Sequence, residues 1–106
     1  MEYFDFDAYQ AKSWRFAMDT AKCNQYLLPG LAGEVGELLS LFAKNVRDGG
    51  EMDGELVQKE LGDILWFVSA IAYINNISLA DVAETNVNKL ESRQKRGTIG
   101  GSGDVR

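Results

Sequence analysis

The sequence predicts an all-α protein with a four-helix bundle-like arrangement that assembles into an oligomer. Apolar residues recur at spacings of three and four along most of the 106-residue chain, which is the period of helices with one buried face. Segments with the alternating apolar and polar pattern of strands are absent, and the chain has a single proline. Clusters of glycine and asparagine divide the chain into four helical segments.

The first two helices are predicted on either side of a short connector. Helix 1 spans residues 5–22, and its repeating face is formed by Phe6, Tyr9, Ser13, Phe16 and Ala17. Residues 24–30 form the connector, and Pro29 suits the first turn of helix 2, where its missing N–H leaves no bond unmade. Helix 2 continues to Arg47 and ends at residues 48–50, because the two glycines there can adopt a left-handed backbone.

The last two helices are predicted at residues 53–75 and 78–96. Ser78 and Asp81 resemble a capping box at the start of helix 4. The helices together form one domain, residues 1–97. Residues 98–106 form a glycine-rich C-terminal tail that is expected not to pack as a structural element.

Helix 3 predicts an oligomer. From residue 64 to residue 74 it is apolar around nearly its whole circumference, which is typical of a helix buried on all sides. The other helices of so short a chain can hardly surround it. We therefore expect a homodimer or a homotetramer.

Composition excludes several classes of function. The net charge of −5 argues against binding to nucleic acid polymers or to anionic membranes, which needs a basic surface. The single Cys23 rules out an intramolecular disulfide, and the chain has no histidine. The N-terminus lacks the features of a signal peptide, and the longest apolar run is about half a membrane span. We expect a cytoplasmic protein.

Two acidic pairs occupy helix faces that should be apolar. Glu60 and Asp63 are three residues apart and continue the stripe formed by Ile64, Phe67 and Ile71. On helix 2, Glu34 and Glu37 have the same spacing and also border the apolar face. A carboxylate at the edge of a core needs a partner, because an unpaired buried charge is unstable.

A divalent cation would supply that partner. Four converging carboxylates form an all-oxygen ligand set, which suits Mg²⁺ or Mn²⁺ and does not suit zinc. A di-iron site of the Glu-x-x-His type is excluded because the chain has no histidine. From spacing alone, the acids could equally be the solvated faces of charged helices.

The acidic pairs belong to a longer pattern. GEVGE at residues 33–37 and ELGD at residues 60–63 are followed by Asn86, Lys89 and Arg93 on one face of helix 4. This combination resembles the MazG-like, all-α nucleoside triphosphate pyrophosphohydrolases, which include dimeric dUTPases and phosphoribosyl-ATP pyrophosphohydrolases. The resemblance extends over nearly the whole chain, including KRGTIGGSGD at its end.

The resemblance implies a fold, a reaction and a set of site residues. The reaction is hydrolysis of (deoxy)nucleoside triphosphates between the α- and β-phosphates, with Mg²⁺ as the cofactor and Mn²⁺ as a substitute. The positions that match the metal ligands are Glu34, Glu37, Glu60 and Asp63. Either a carboxylate or a metal-bound hydroxide would take the proton from the attacking water. Because the chain has no histidine, a glutamate is the expected general base in this cluster, and the candidates are Glu34 and Glu37.

The resemblance and the sequence also give candidates for substrate binding. In the family, residues such as Asn86, Lys89 and Arg93 contact phosphates and sugar, although the end of a helix also favours cations without any ligand. Lys44 is a further phosphate candidate. Phe67 could stack on the base or belong to the core. The alternative hypothesis is a non-catalytic nucleotide-binding or helical regulatory module. The third hypothesis is a purely structural helical oligomer.

Overall fold

The protein consists of four α-helices in the predicted order. The computed structural model describes residues 5–106, so the first four residues of the predicted domain lie outside it. The helices, labelled α1 to α4, span Phe6–Trp14, Asn24–Asp48, Gly54–Ile74 and Leu79–Lys95, and a short 3₁₀ helix, Asp19–Ala21, precedes α2. Residues 5–106 contain no strand. The predicted all-α fold class is confirmed.

Helix α1 is shorter than the sequence predicts, because it ends at Trp14 and not near Lys22. A longer helix would give the carbonyl oxygen of Ser13 to the amide of Ala17. That oxygen instead accepts hydrogen bonds from Nε1 of Trp66 at 3.0 Å and from the amide of Phe16 at 3.2 Å. The amide of Ala17 bonds to the carbonyl of Trp14 at 3.0 Å. A hydrogen bond from α3 to Ser13 is therefore made where a longer α1 would have its next helical hydrogen bond.

Helix α2 begins earlier than predicted, at Asn24, so the predicted connector is helical and Pro29 lies inside the helix. Proline has no N–H, and the carbonyl of Gln25 consequently lacks its usual partner in the helix. The next residue, Gly30, lets α2 approach α3 closely. A Cβ atom on Gly30 would overlap the ring of Phe67.

The remaining helix ends follow the predicted signals. The carboxylate of Asp53 caps α3 by accepting a bond from the amide of Glu55 at 2.9 Å, and Ser78 caps α4 through the amide of Asp81 at 3.2 Å. Gly49, which ends α2, has a φ of 77°, as the predicted stop requires.

Helix α3 contacts the other three helices and positions them. The core is small: Ala21, Leu27 and Ala70 are buried, and the partly buried residues around them are Trp14, Trp66, Phe67, Ile71 and Ile74. Helix α4 leaves α3 at 105° and does not pack on α2 within the described residues. No single helix in residues 5–106 is both long and apolar enough to cross a membrane; only the sharply bent pair of α3 and α4 meets that test together.

A buried amide joins three of these helices. Gln10 on α1 donates from Nε2 to the carbonyl oxygens of Ser69 at 3.3 Å and Ile77 at 2.9 Å, and its Oε1 accepts from the amide of Leu79 at 3.1 Å. One turn earlier, Asp7 accepts bonds from the amide of Ala80 and the hydroxyl of Ser78. The first helix therefore caps the start of the last one.

Candidate metal and nucleotide site

Three of the four predicted metal ligands converge between α2 and α3. Glu34 on α2 and the pair Glu60 and Asp63 on α3 each offer a carboxylate oxygen, and these oxygens lie within 4.8 Å of one another. The spacing of three residues directs both acids of α3 to one side of that helix. Packing of α2 against α3 brings Glu34 to the same side.

The cluster is electrostatically unfavourable without a cation. Burial raises the pKa of Glu34, and the negative charges of Asp63, Glu60 and Glu37 raise it further. Burial and these neighbouring charges therefore oppose the ionisation of Glu34. An all-oxygen donor set with three negative charges has the chemistry that Mg²⁺ and Mn²⁺ prefer, so the residues fit the implied metal.

Glu37 stands apart from the three converging acids. It lies three residues beyond Glu34 on α2 and is exposed, and the group of oxygens within 4.8 Å does not include it. Its charge still acts on Glu34. Two roles remain open to Glu37 on this geometry, as a further ligand or as the base that takes a proton from water.

Phe67 is packed among aromatic residues of the core. Its ring lies 5.1 Å from that of Trp66 in an edge-on arrangement and 6.4 Å from that of Tyr26, measured between ring centres. The same ring fills the space left by Gly30. The structure thus gives Phe67 a packing role, and its contact with a base stays a prediction.

A groove between α1 and α3 lies beside the acids. It is lined by Tyr9, Lys12, Ser13, Phe16 and Trp66, and almost all of its surface is apolar. The pKa of Tyr9 is raised, because burial outweighs the opposite effect of a hydrogen bond with Ser13 and the negative charge of nearby Asp63 adds to the effect of burial. The sequence does not indicate that Tyr9 lies near the acids, because its helical spacing predicts only that it belongs to an apolar face.

The predicted cation on α2 is not at the acid cluster. Lys44 is ten residues beyond Glu34, which is about 15 Å along a helix axis. It lies in a surface groove at the turn into α3, with Asp48 and Asp53. Its positive charge lowers the pKa of Asp48, after the larger effect of the hydrogen bond from Arg47. A phosphate contact by Lys44 stays a prediction.

The predicted phosphate-binding residues lie together on α4. Asn86 and Lys89 line one open groove on this helix. Arg93, one turn further on, is buried, with 4% of its surface exposed. Within residues 5–106, α4 contacts α3, which carries Glu60 and Asp63, but does not pack on α2, which carries Glu34.

Residues 97–106, called here the strap, fold back on the end of α4. Arg93 donates from one terminal nitrogen to the carbonyl oxygens of Gly103 at 3.2 Å and Asp104 at 2.9 Å. Arg106 donates from Nε to the carbonyl of Thr98 at 2.9 Å. The sequence predicts an unpacked tail here, and the structure differs because two arginines bond to its carbonyl groups.

Comparisons with known proteins identify the family of the chain. The family described as MazG nucleotide pyrophosphohydrolase domain matches residues 22–98, which include α2, α3 and α4. The chain is similar to the Gene 37 protein of Mycobacterium phage L5, with 39% identity over 95 residues that cover 83% of this chain and 81% of the phage protein. No solved structure matches the chain.

Proposed function

Because the chain belongs to the family of MazG nucleotide pyrophosphohydrolase domains, we propose that it hydrolyses (deoxy)nucleoside triphosphates at the α–β phosphate bond. The products are a nucleoside monophosphate and pyrophosphate. The observation that carries this proposal is the convergence of Glu34, Glu60 and Asp63, whose carboxylate oxygens lie within 4.8 Å of one another. Acids arranged in this way have little structural use, since the charges of Asp63 and Glu60 disfavour ionisation of Glu34.

The metal in this proposal is Mg²⁺, with Mn²⁺ as a substitute. Glu34, Glu60 and Asp63 would hold it. When bound, the ion neutralises charge on the phosphates and stabilises the charge that develops as the phosphoanhydride bond breaks. A protein of net charge −5 needs such a cation to bring a polyphosphate to an acidic surface.

The chemical step needs a base. An oxygen atom of water forms a bond to the α-phosphorus, the bond between that phosphorus and the bridging oxygen breaks, and pyrophosphate leaves with the bridging oxygen and the electron pair of the broken bond. A carboxylate accepts the proton that the water loses. Glu37 suits this task because it is exposed and lies beside the three acids without being one of them.

The groove beside Tyr9 suits the nucleoside. It is apolar, open at the surface, and close enough to Asp63 for that charge to act on the Tyr9 hydroxyl. Phe16 and Trp66 offer rings on which a base can stack. In this arrangement the phosphates lie at the acids and the base lies between α1 and α3.

Pyrophosphate release tests the function directly. A panel of canonical and modified ribo- and deoxyribonucleoside triphosphates is assayed with Mg²⁺ and with chelator. We expect Mg²⁺-dependent release from some of them and a loss of at least about 100-fold in kcat for Asp63→Asn, because the cation would lose one charged ligand. Glu55→Gln, an exposed acid at the start of α3, is the matched control and should keep full activity.

Glu37→Gln separates the two roles of Glu37. If Glu37 is the base, Mn²⁺ binding measured by calorimetry is unchanged while turnover is lost. If it is a ligand, Mn²⁺ affinity falls as well. Nucleotide binding without turnover of any substrate in the panel would favour the non-catalytic binding module over the enzyme.

A further inference from the structure

The strap places its own carboxylate on the predicted phosphate-binding cations. Oδ1 of Asp104 lies 3.0 Å from Nζ of Lys89 and 3.5 Å from a terminal nitrogen of Arg93. The hydrogen bond and the charge of Lys89, followed by those of Arg93, lower the pKa of Asp104. The carboxylate is therefore ionised at neutral pH and acts as an internal anion on this face of α4.

Arg93 has donor capacity that the strap does not satisfy. Its side chain is buried, and its Nε has no hydrogen-bond partner among the described residues. One terminal nitrogen serves two strap carbonyls and also faces the Asp104 carboxylate. A buried guanidinium donor without an acceptor is costly, and phosphate oxygens match the guanidinium fork better than a single carbonyl does.

The contact of Asp104 is one that a stronger anion can replace. The Asp104 side chain is 85% exposed, and an ion pair open to water is weak and screened by salt. A polyphosphate carries several negative charges and many more acceptor oxygens. It would therefore compete well for Lys89 and Arg93.

We propose that Asp104 is an internal competitor of the substrate, whose carboxylate occupies the Lys89 and Arg93 pair until a phosphate group of the incoming polyphosphate replaces it. This inference rests on the proposed function, because it concerns regulation of the same site. The exchange is non-covalent: one anion leaves the cations as another arrives. The strap thereby sets the affinity of the site for polyphosphates and reduces its occupancy by other anions.

The test is anion binding by Asp104→Asn. This substitution keeps the size of the side chain and removes its charge, and the exposed position should tolerate it. Calorimetry with inorganic pyrophosphate and Mg²⁺ measures binding to the whole protein without turnover. We expect the variant to bind pyrophosphate about 2–5-fold more tightly than the wild type, which corresponds to the loss of one exposed ion pair. Equal or weaker binding overturns the proposal, and weaker binding would mean that Asp104 positions the two cations.

Two further variants make the result specific. Glu91→Gln removes an equal charge from an exposed position of α4 outside the strap contacts, and we expect unchanged binding. An equal gain in Glu91→Gln would indicate a general charge effect and overturn the proposal. In a Lys89→Ala background, Asp104→Asn should give a smaller gain, since the contact with Lys89 is already absent. A full gain there also contradicts competition at Lys89.

The same variants separate this inference from the proposed function. If nucleoside triphosphates are hydrolysed and Asp104→Asn does not tighten pyrophosphate binding, the competition fails and the enzyme stands. If the binding pattern is as expected and no triphosphate is hydrolysed, the enzyme fails and the anion exchange on α4 stands.

Discussion

At the scale of single residues, Glu34 has the least favourable surroundings in the acid cluster. Burial and three neighbouring carboxylates all raise its pKa. In a folded protein without metal, the side chain holds its proton more tightly than in the unfolded chain. The pKa of Glu34 is therefore higher in the folded state than in the unfolded state. As the pH rises through these two values, ionisation of Glu34 lowers the free energy of unfolding, and the loss is complete above both.

We expect Glu34→Gln to stabilise the protein in chelator at neutral pH. Solvent screening keeps the gain to roughly 0.5 kcal/mol, or about 2–4 °C in Tm for a domain of this size. The gain should shrink as the pH falls below the ordinary pKa of a glutamate in an unfolded chain, because Glu34 is then protonated in both states. Thermal melts at several pH values with chelator measure it.

The control for this prediction is Glu55→Gln, whose acid lies at the start of α3 outside the cluster. Its Tm should not show the same dependence on pH. With saturating Mg²⁺ the wild type should have the higher Tm, because bound Mg²⁺ stabilises its folded state and the variant lacks one of the carboxylates that would hold the ion. A Glu34→Gln variant less stable than wild type in chelator at pH 7 would contradict the assigned electrostatics.

At the scale of helices, sequence predicts best what is local. The starts of α3 and α4 depend on Asp53 and Ser78, whose side chains bond to amides two or three residues away. The end of α1 depends on Trp66, which lies 53 positions from its acceptor and is invisible to a periodic pattern. Pro29 misleads for a related reason, because packing of α2 against α3 outweighs one missing hydrogen bond.

In the candidate site, too, the local features are predicted from sequence and the contacts between distant residues are not. The spacing of Glu60 and Asp63 indicates a shared face, and the structure adds Glu34 from another helix. Glu37 lies outside that group, and Tyr9 lies near Asp63. Both facts depend on the angles at which the helices cross, and the spacing of residues along one helix does not reveal those angles. The contact of Asp104 with Lys89 is also hidden, since it requires a glycine-rich segment to fold back on α4.

Gln10 carries a stability prediction at this scale, because it joins α1, α3 and α4. Gln10→Ala leaves the amide of Leu79 and the carbonyls of Ser69 and Ile77 without their partner in or near the core. We expect the free energy of unfolding to fall by about 2–4 kcal/mol. Urea denaturation measures this loss. Gln25→Ala, an exposed control on α2, should change it by less than about 0.5 kcal/mol, and equal losses would refute the role of Gln10.

At the scale of the whole molecule, one chain leaves much apolar surface uncovered. The radius of gyration is 16.6 Å, whereas a compact chain of this length is expected near 13 Å. Helix α2 carries a second apolar stripe that faces away from α3, and all its members are exposed: Leu28, Val35, Leu39, Phe42 and Val46. Their spacing of three, four and seven is typical of a helix that packs against another helix.

We expect the protein to be a homodimer or a homotetramer, with this stripe of α2 in the interface. Leu39 is 64% exposed, and Leu39→Glu places a charge at the centre of the stripe. Light scattering after size exclusion should show smaller particles for this variant. Ser40→Glu adds the same charge to the neighbouring exposed position and should leave the assembly intact. A monomeric wild type at micromolar concentration would rule out this arrangement.

The joint between α1 and α4 has a mechanical consequence. Helix α4 is fixed to the rest of the chain near Ser78, by Asp7 and Gln10, and it carries Arg93 near its other end. Arg93 lies fifteen positions beyond Ser78, so this part of α4 forms a lever about 22 Å long. A rotation of about 10° at the joint would displace the guanidinium by about 4 Å, which exceeds the length of a hydrogen bond to a phosphate oxygen. We therefore expect substitutions at Asp7 to change the position of Arg93 relative to the acids, although none of these residues is itself replaced.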